Sequence, residues 1–178
     1  MHSRRNLHHI WSVRTFCVAA SLVTALVPAC RGERPAAPPD EGVVTYVFDG
    51  DTIEVRIADR LERVRLLGID TPETVDRDRP VECHGPEASS ALNELLPAGM
   101  VVRLERDVEP RDAYNRLLAY VFRVEDSLFV NAEMARRGLA VEMQIAPNGA
   151  RQPEIRQAVD EARSANRAMW GVCPRPGS

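Results

Sequence analysis

The sequence of 178 residues predicts a mainly β fold with about three helices, in which five strands close into a small Greek-key barrel. Three observations lead to this prediction. Five short segments are rich in β-branched or aromatic residues and are separated by turn signals. Three other segments carry apolar residues at helical spacing. One of these helical segments lies between the third and the fourth strand, an order typical of five-stranded barrels of the OB type.

The first three strands are predicted to form an antiparallel meander. Asp49-Gly50, between two β-rich segments, is a strong hairpin signal. A second short turn at residues 58–60 leads into the third strand. The predicted strands comprise residues 43–48, 53–57, 61–69, 100–105 and 116–124.

The three helices are predicted from apolar periodicity and from the residues at their ends. The first begins at His84-Gly85-Pro86, with its proline in the first turn, and ends at Pro97-Ala98-Gly99. The second comprises residues 131–137 and ends at Gly138, a residue suited to the position after a helix. The third extends from residue 153 to about residue 169.

The first 29 residues are predicted to be a secretory signal peptide. They combine three Arg residues, no acidic residue, and an apolar run at residues 16–27 that small residues follow. A transmembrane anchor is the alternative, but the run is short against the ~20 apolar residues of a bilayer span. Residues 27–30 (VPAC) resemble a bacterial lipobox, which makes Cys30 either a lipid-anchored N-terminus or a residue exposed by cleavage. We therefore expect export, either to the cell envelope as a lipid-anchored or periplasmic protein or to the medium.

The rest of the chain is predicted to contain one folded domain, which we expect to be a monomer. Residues 30–41 are rich in Pro and Ala without periodicity, which is typical of a disordered tether. Residues 42–173 form the domain, and residues 174–178 form a tail.

The charge of the exported part restricts the ligands that it can hold. Removal of residues 1–29 takes away three of the 23 basic residues and none of the 26 acidic ones, which leaves a net charge of −6, and every basic residue is Arg. An acidic chain is poorly suited to non-specific nucleic-acid binding. An anionic ligand must therefore be held by local Arg residues or by a metal.

Four polar clusters are candidates for a functional site. Each has a simple structural explanation: a hairpin turn, an exposed strand residue, a loop after a strand, and a local ion pair. Those explanations do not account for two acidic turns close to two Arg-bearing strand segments. The clusters are Asp49–Thr52 (DGDT), Arg65, Asp70–Glu73 (DTPE) and Asp112–Arg116 (DAYNR).

The ordered series DGDT, RLLGIDTPE, GPEAS, D-x-Y-x-R and VNAEMARRGLA resembles the staphylococcal nuclease (thermonuclease) family over about residues 43–170. The resemblance implies an OB-fold barrel and a calcium-dependent phosphodiesterase that acts on DNA and RNA. It implies that Asp51 and Asp70 bind Ca²⁺ through their carboxylates and Thr71 through its backbone carbonyl. Hard oxygen ligands of this kind suit Ca²⁺.

The resemblance also assigns the catalytic groups. Glu73 matches the general base that takes a proton from the attacking water. Arg65 and Arg116 match the phosphate-binding pair, a role that suits the planar, permanently charged guanidinium. Tyr114 is expected to pack on a sugar or a base. The family has Lys where this chain has Ala113, which removes one phosphate contact.

One geometric requirement follows from these assignments. Arg65 and Asp70 are five residues apart, so a regular strand would place them on opposite faces. A bend or bulge near Gly68 is therefore expected. The family also has Gly where this chain has Asn115, and Asn tolerates the left-handed backbone that such a turn requires.

Cys83 and Cys173 flank the outer helices and are the only cysteines after Cys30. In an exported protein a disulfide is favoured over free thiols or a metal site. Two alternatives to a nuclease remain open: a non-catalytic OB module that binds single-stranded nucleic acid, and a calcium-stabilised envelope scaffold. The aromatic content of 5% and the acidic charge count against the first. Glu73 counts against the second, because a structural metal site needs no base.

Overall fold

The computed structural model describes residues 40–73 and 82–174, and in that part of the chain five strands form a closed barrel in the order β1-β2-β3-β6-β5. The strands are β1 (Glu41–Val47), β2 (Thr52–Ile57), β3 (Arg60–Leu66), β4 (Gly68–Asp70), β5 (Val101–Glu105), β6 (Leu117–Arg123) and β7 (Val141–Met143). The helices are α1 (Gly85–Leu95), α2 (Val130–Arg136), α3 (Gln152–Ser164) and α4 (Met169–Val172). The predicted mainly β fold with a five-stranded barrel is confirmed.

The barrel closes through one parallel pairing. β1, β2 and β3 form the predicted antiparallel meander, and β5 pairs antiparallel with both β1 and β6. β3 and β6 pair in parallel, with Arg65 opposite Leu118. Because β3 and β6 are separated by α1 and β5, this pairing brings two Arg-bearing segments side by side that are about 50 residues apart in sequence.

The predicted third strand, residues 61–69, is two strands in the structure. β3 ends at Leu66, and β4 leaves the barrel and pairs with β7, a strand that the sequence did not predict. The break falls at Gly68, whose φ of +82° is unfavourable for any residue with a side chain. A Cβ on Gly68 would also lie 2.3 Å from Cδ1 of Ile155. The expected bend near Gly68 is confirmed.

Buried Asn131 supports this bend from α2. Its Nδ2 donates to the carbonyl of Leu67 at 2.8 Å, and its Oδ1 accepts the N–H of Val121 at 2.9 Å. A backbone carbonyl released from a sheet and left unpaired inside the protein would cost free energy. Asn131 therefore stabilises the point at which the chain turns away from the barrel.

The predicted helices are confirmed, with one difference at the C-terminal end. Gly138 follows α2 with a φ of +78°, as expected for the residue after a helix. The last predicted helix, expected to reach about residue 169, ends at Ser164, and a separate short helix follows it. Asn166 and Ala168 both have a positive φ, which a continuous helix does not allow. Among the described residues, no helix combines the length and the apolar character that a membrane span needs.

A disulfide joins the start of α1 to the end of α4. Cys83 and Cys173 are bonded, with Cα atoms 6.0 Å apart, and the closed loop spans 90 residues. We predict that replacing both by Ser lowers the free energy of unfolding by about 2–4 kcal/mol, mainly because the unfolded chain gains freedom. Urea denaturation measures this change, with Cys30→Ser, outside the predicted domain, as the control. Mass spectrometry of exported protein with both thiols free would contradict the pairing.

Candidate active site

The site is centred on Asp51, which follows the β1–β2 turn. Its side chain is nearly buried, since the residue is 6% exposed. Oδ1 accepts the hydroxyl of Thr52 at 3.0 Å, and the backbone N–H of Asp51 donates to Oδ1 of Asp49 at 3.0 Å. The first and third residues of the DGDT segment are thus joined by a hydrogen bond. Together with the Thr52 contact, this bond orients the buried carboxylate of Asp51.

Arg65 connects Asp51 to the end of the neighbouring strand. Pairing of Thr52 with Arg65 across β2 and β3 places the guanidinium beside Asp51. Nη2 lies 3.1 Å from Oδ2 of Asp51 and 2.9 Å from Oδ1 of Asp70. Nη1 donates to the carbonyls of Leu66 and Ile69 at 2.7 and 2.8 Å. The bend at Gly68 thus lets one buried Arg contact both carboxylates.

Thr71 completes this cluster. Its backbone N–H and its hydroxyl donate to Oδ2 of Asp51 at 3.2 and 3.3 Å. The side chain packs so closely on Gly50 that a Cβ there would lie 2.7 Å from the Thr71 hydroxyl oxygen. The glycine in the DGDT turn is therefore required by its close contact with the opposite segment, although its φ is not in the left-handed region.

The electrostatics of the two carboxylates favour an additional cation. Burial raises the pKa of Asp51 to about 7, against the opposing effect of Arg65. Burial also raises the pKa of Asp70, again opposed by Arg65. One guanidinium is thus insufficient to offset the desolvation of two neighbouring carboxylates. With the carbonyl of Thr71 they supply only oxygen ligands, so the residues present fit a hard divalent cation such as Ca²⁺.

Glu73 lies two residues beyond Thr71, and it is exposed. Its backbone is held by Glu82: the N–H of Glu73 donates to Oε2 of Glu82, and the N–H of Glu82 donates to the carbonyl of Glu73, both at 3.0 Å. This reciprocal contact fixes Glu73 at one end of the segment 74–81, which lies outside the described residues. The sequence carried no signal for the role of Glu82.

Arg116 comes from the turn before β6. The N–H groups of Tyr114 and Arg116 donate to Oδ1 of Asp112 at 3.0 and 2.9 Å, and Nε of Arg116 donates to Oδ2 at 2.7 Å. Although burial acts in the opposite direction, these hydrogen bonds lower the pKa of Asp112. Asn115 has the expected left-handed backbone, with a φ of +63°. Asp112, predicted only as an ion-pair partner, organises the whole turn.

The strand register places Arg116 near the carboxylate cluster without direct contact. Arg65 pairs with Leu118, so Arg116, two residues earlier, projects on the same side of the sheet as Arg65. Arg116 lines a surface cleft with Arg63, Tyr114 and Asn115. Tyr114 is 82% exposed, and the Arg116 guanidinium lies 5.5 Å from its ring centroid. Within residues 40–73 and 82–174, no hydrogen bond or ion pair joins Arg116 to Asp51, Arg65 or Asp70.

The role of Asp112 can be tested by Asp112→Asn. We predict a decrease in turnover of roughly 10- to 100-fold, because the misplaced Arg116 guanidinium no longer meets the phosphate. The affinity for a divalent cation should not change, because Asp112 is not among the candidate metal ligands. The matched control is Asp126→Asn, since Asp126 pairs with Arg123 at the other end of β6. Steady-state kinetics that show equal effects of the two substitutions would contradict this positioning role.

The fold and the site together define a class of enzyme that acts on phosphate esters. An OB-type barrel here carries paired carboxylates beside a buried Arg, with a second Arg in the turn before the adjacent strand β6, an arrangement suited to phosphate esters.

Known proteins of the same class match this chain. The family described as staphylococcal nuclease homologue matches residues 63–172. The thermonuclease of Staphylococcus intermedius is 42% identical over 128 residues, which cover 72% of this chain and 74% of that protein. The thermonuclease of Staphylococcus hyicus is 38% identical over 127 residues, which cover 71% and 73%. Endonuclease YncB of Bacillus subtilis is 37% identical over 125 residues, which cover 69% and 58%. The chain belongs to the staphylococcal nuclease family.

Proposed function

We propose that this chain is an exported, calcium-dependent nuclease that hydrolyses phosphodiester bonds of DNA and RNA. Its family makes it a nuclease, a phosphodiesterase. The observation that carries the finer proposal is the contact of buried Arg65 with both Asp51 and Asp70. This contact gathers hard oxygen ligands and a phosphate-binding cation at one strand end.

In the proposed mechanism the carboxylates of Asp51 and Asp70 and the carbonyl of Thr71 would hold Ca²⁺. The bound ion supplies positive charge that offsets the charge developing on the phosphate oxygens. Glu73 takes a proton from a water molecule, whose oxygen forms the new bond to phosphorus. The bond from phosphorus to the leaving oxygen breaks, that oxygen takes up a proton from solvent water, and Glu73 releases its proton to solvent.

The two Arg residues provide the positive charge for the phosphate in this scheme, in different ways. Asp112 occupies only Nε of Arg116, and neither Nη group has a hydrogen-bond partner within the described residues. The two Nη groups can therefore donate to two phosphate oxygens. Arg65 orients Asp51 and Asp70 and contributes its charge at the same strand end. Donors placed in advance in this way stabilise the transition state without reorganisation.

One assay tests the proposal. The purified protein should degrade single-stranded DNA and RNA when calcium is present, and addition of a chelator should abolish cleavage. Activity that survives full chelation would remove the metal from the mechanism. Binding of single-stranded DNA without any cleavage would instead support the non-catalytic OB module.

Export is supported by two features of the chain. The signal-like composition of residues 1–29 is one, although that segment and Cys30 lie outside the described residues. The Cys83–Cys173 disulfide is the other, because such bonds persist in oxidising compartments. If Cys30 is the lipid anchor, palmitate labelling should appear in the wild type and disappear in Cys30→Ala. A soluble, unlabelled product that begins at another residue would exclude the anchor.

A further inference from the structure

Two aromatic side chains and one Arg form a cluster on the barrel surface, which we call the aromatic platform: Tyr46, Phe48 and Arg63. Tyr46 and Arg63 are exposed, and Phe48 is half-buried. The rings of Tyr46 and Phe48 meet edge to face with centroids 5.0 Å apart. The guanidinium of Arg63 lies over the Phe48 ring, 4.1 Å from its centroid. Tyr46 is 58% exposed. The platform therefore presents a ring and a guanidinium plane to solvent.

The strand register places the platform directly beside the candidate site. Tyr46, Glu54 and Arg63 are partners across β1, β2 and β3. Arg63 is two residues before Arg65, so both project on the same side of β3. Arg63 also lines the cleft of Tyr114 and Arg116. One side chain thus belongs both to the platform and to the cleft in which the phosphate is proposed to bind.

Two of the three platform side chains, Tyr46 and Arg63, are exposed rather than packed into the core. The chain is only 5% aromatic and has three Tyr residues. Tyr120 is buried, whereas Tyr46 and Tyr114 are the two exposed ones, and both lie near Arg63. Among the described residues no carboxylate pairs with Arg63, so its charge remains available to a ligand. Exposed aromatic groups interleaved with a free guanidinium are typical of surfaces that stack nucleobases.

We propose that the aromatic platform binds unstacked bases of a single-stranded substrate, next to the nucleotide whose phosphate contacts Arg116. This inference rests on the proposed nuclease function. Bases stack on aromatic faces and on Arg planes without regard to sequence. Tyr46 and Arg63 are two strands apart, roughly 10 Å, which leaves room for more than one base. Glu54 lies between them in register and repels phosphates, so bases rather than the backbone face this part of the sheet.

The test compares a long and a short substrate in variants that keep the apolar character of the platform. The variants are Tyr46→Leu, Phe48→Leu and the double substitution, with Tyr46→Phe as the variant that retains the ring. The substrates are an oligothymidylate and the nitrophenyl ester of thymidine 5′-phosphate, which has no neighbouring base. Val172→Ala, an exposed position in α4, is the control away from the platform.

We expect Tyr46→Leu, which removes an exposed stacking ring, to raise the KM for the oligothymidylate by about 5- to 100-fold, with kcat unchanged. Phe48→Leu should raise this KM by less, because it removes the ring that supports Arg63. The KM for the nitrophenyl ester should stay constant, and Tyr46→Phe should behave as the wild type. Thermal denaturation shows whether each variant is folded. If Phe48→Leu is unfolded, the result for Tyr46→Leu alone tests the proposal, because the Tyr46 side chain is largely exposed.

Two results would refute the proposed role of the platform. One is an unchanged KM for the oligothymidylate. The other is an equal rise in KM for both substrates, which would indicate a general disturbance of the site. If the wild type cleaves neither substrate, the proposed nuclease function is refuted, whereas the proposed base binding by the platform is still open to test. Fluorescence anisotropy of labelled oligothymidylate then decides the inference, since binding that the Leu variants do not weaken would refute it.

Discussion

Glu73→Gln is expected to lower turnover on single-stranded DNA by about 10²–10⁴-fold, the usual contribution of general-base catalysis. The amide keeps the shape of the side chain but has no basic oxygen that can accept a proton from water. Glu73 is exposed, so the fold should be unaffected. Steady-state kinetics with calcium titrated for wild type and variant separate a loss of turnover from a loss of metal binding.

Glu82→Gln is the matched control for this substitution. Glu82 is a second carboxylate at the same place, but its contact with Glu73 is a backbone hydrogen bond, which an amide oxygen can also accept. We expect its effect to be far smaller. If Glu82→Gln impairs turnover as strongly as Glu73→Gln, the base has been assigned to the wrong carboxylate or to neither one alone.

Arg116→Ala is expected to lower turnover by about 10³-fold with little change in calcium affinity, because Arg116 acts on the phosphate rather than on the metal ligands. Arg116→Lys should restore little of this loss. A single ammonium cannot form the two-pronged contact of a guanidinium, and it cannot also occupy the Nε contact with Asp112. The measurement is kcat on single-stranded DNA at saturating calcium.

A double-mutant cycle tests whether Asp112 acts through Arg116. If Asp112 acts only by positioning Arg116, Asp112→Asn should have no further effect on turnover in the Arg116→Ala background. Arg123→Ala is the control, since Arg123 forms the equivalent pair with Asp126 at the far end of β6. Additive losses from Asp112→Asn and Arg116→Ala would show that Asp112 has an independent role. Unchanged turnover in both Glu73→Gln and Arg116→Ala would refute the mechanism.

Some parts of this protein could be predicted from the sequence because they depend on local backbone preferences. Features that depend on a few neighbouring residues were predicted correctly: the Asp49-Gly50 hairpin, the helix end at Gly138 and the left-handed Asn115. Each reflects a local backbone preference, which short-range sequence carries. The bend at Gly68 was expected because the assigned roles of Arg65 and Asp70 required it. The close packing of Ile155 against Gly68, which leaves no room for a side chain at this bend, appeared only in the structure.

The sequence by itself thus determined the barrel with its accompanying helices, and it named Asp51, Arg65, Asp70, Thr71, Glu73 and Arg116 as candidates. The tertiary structure alone decided how these candidates are arranged. Arg65 contacts both carboxylates because β2 pairs with β3 and the chain bends after it. Glu82 and Asp112 contact residues only nine and four positions away, but the sequence did not show which backbone groups their carboxylates would accept. β7 and the position of Arg63 beside Arg116 depend on contacts distant in sequence. Local propensity carries no information on such contacts, since they form only when the barrel closes and buries its core.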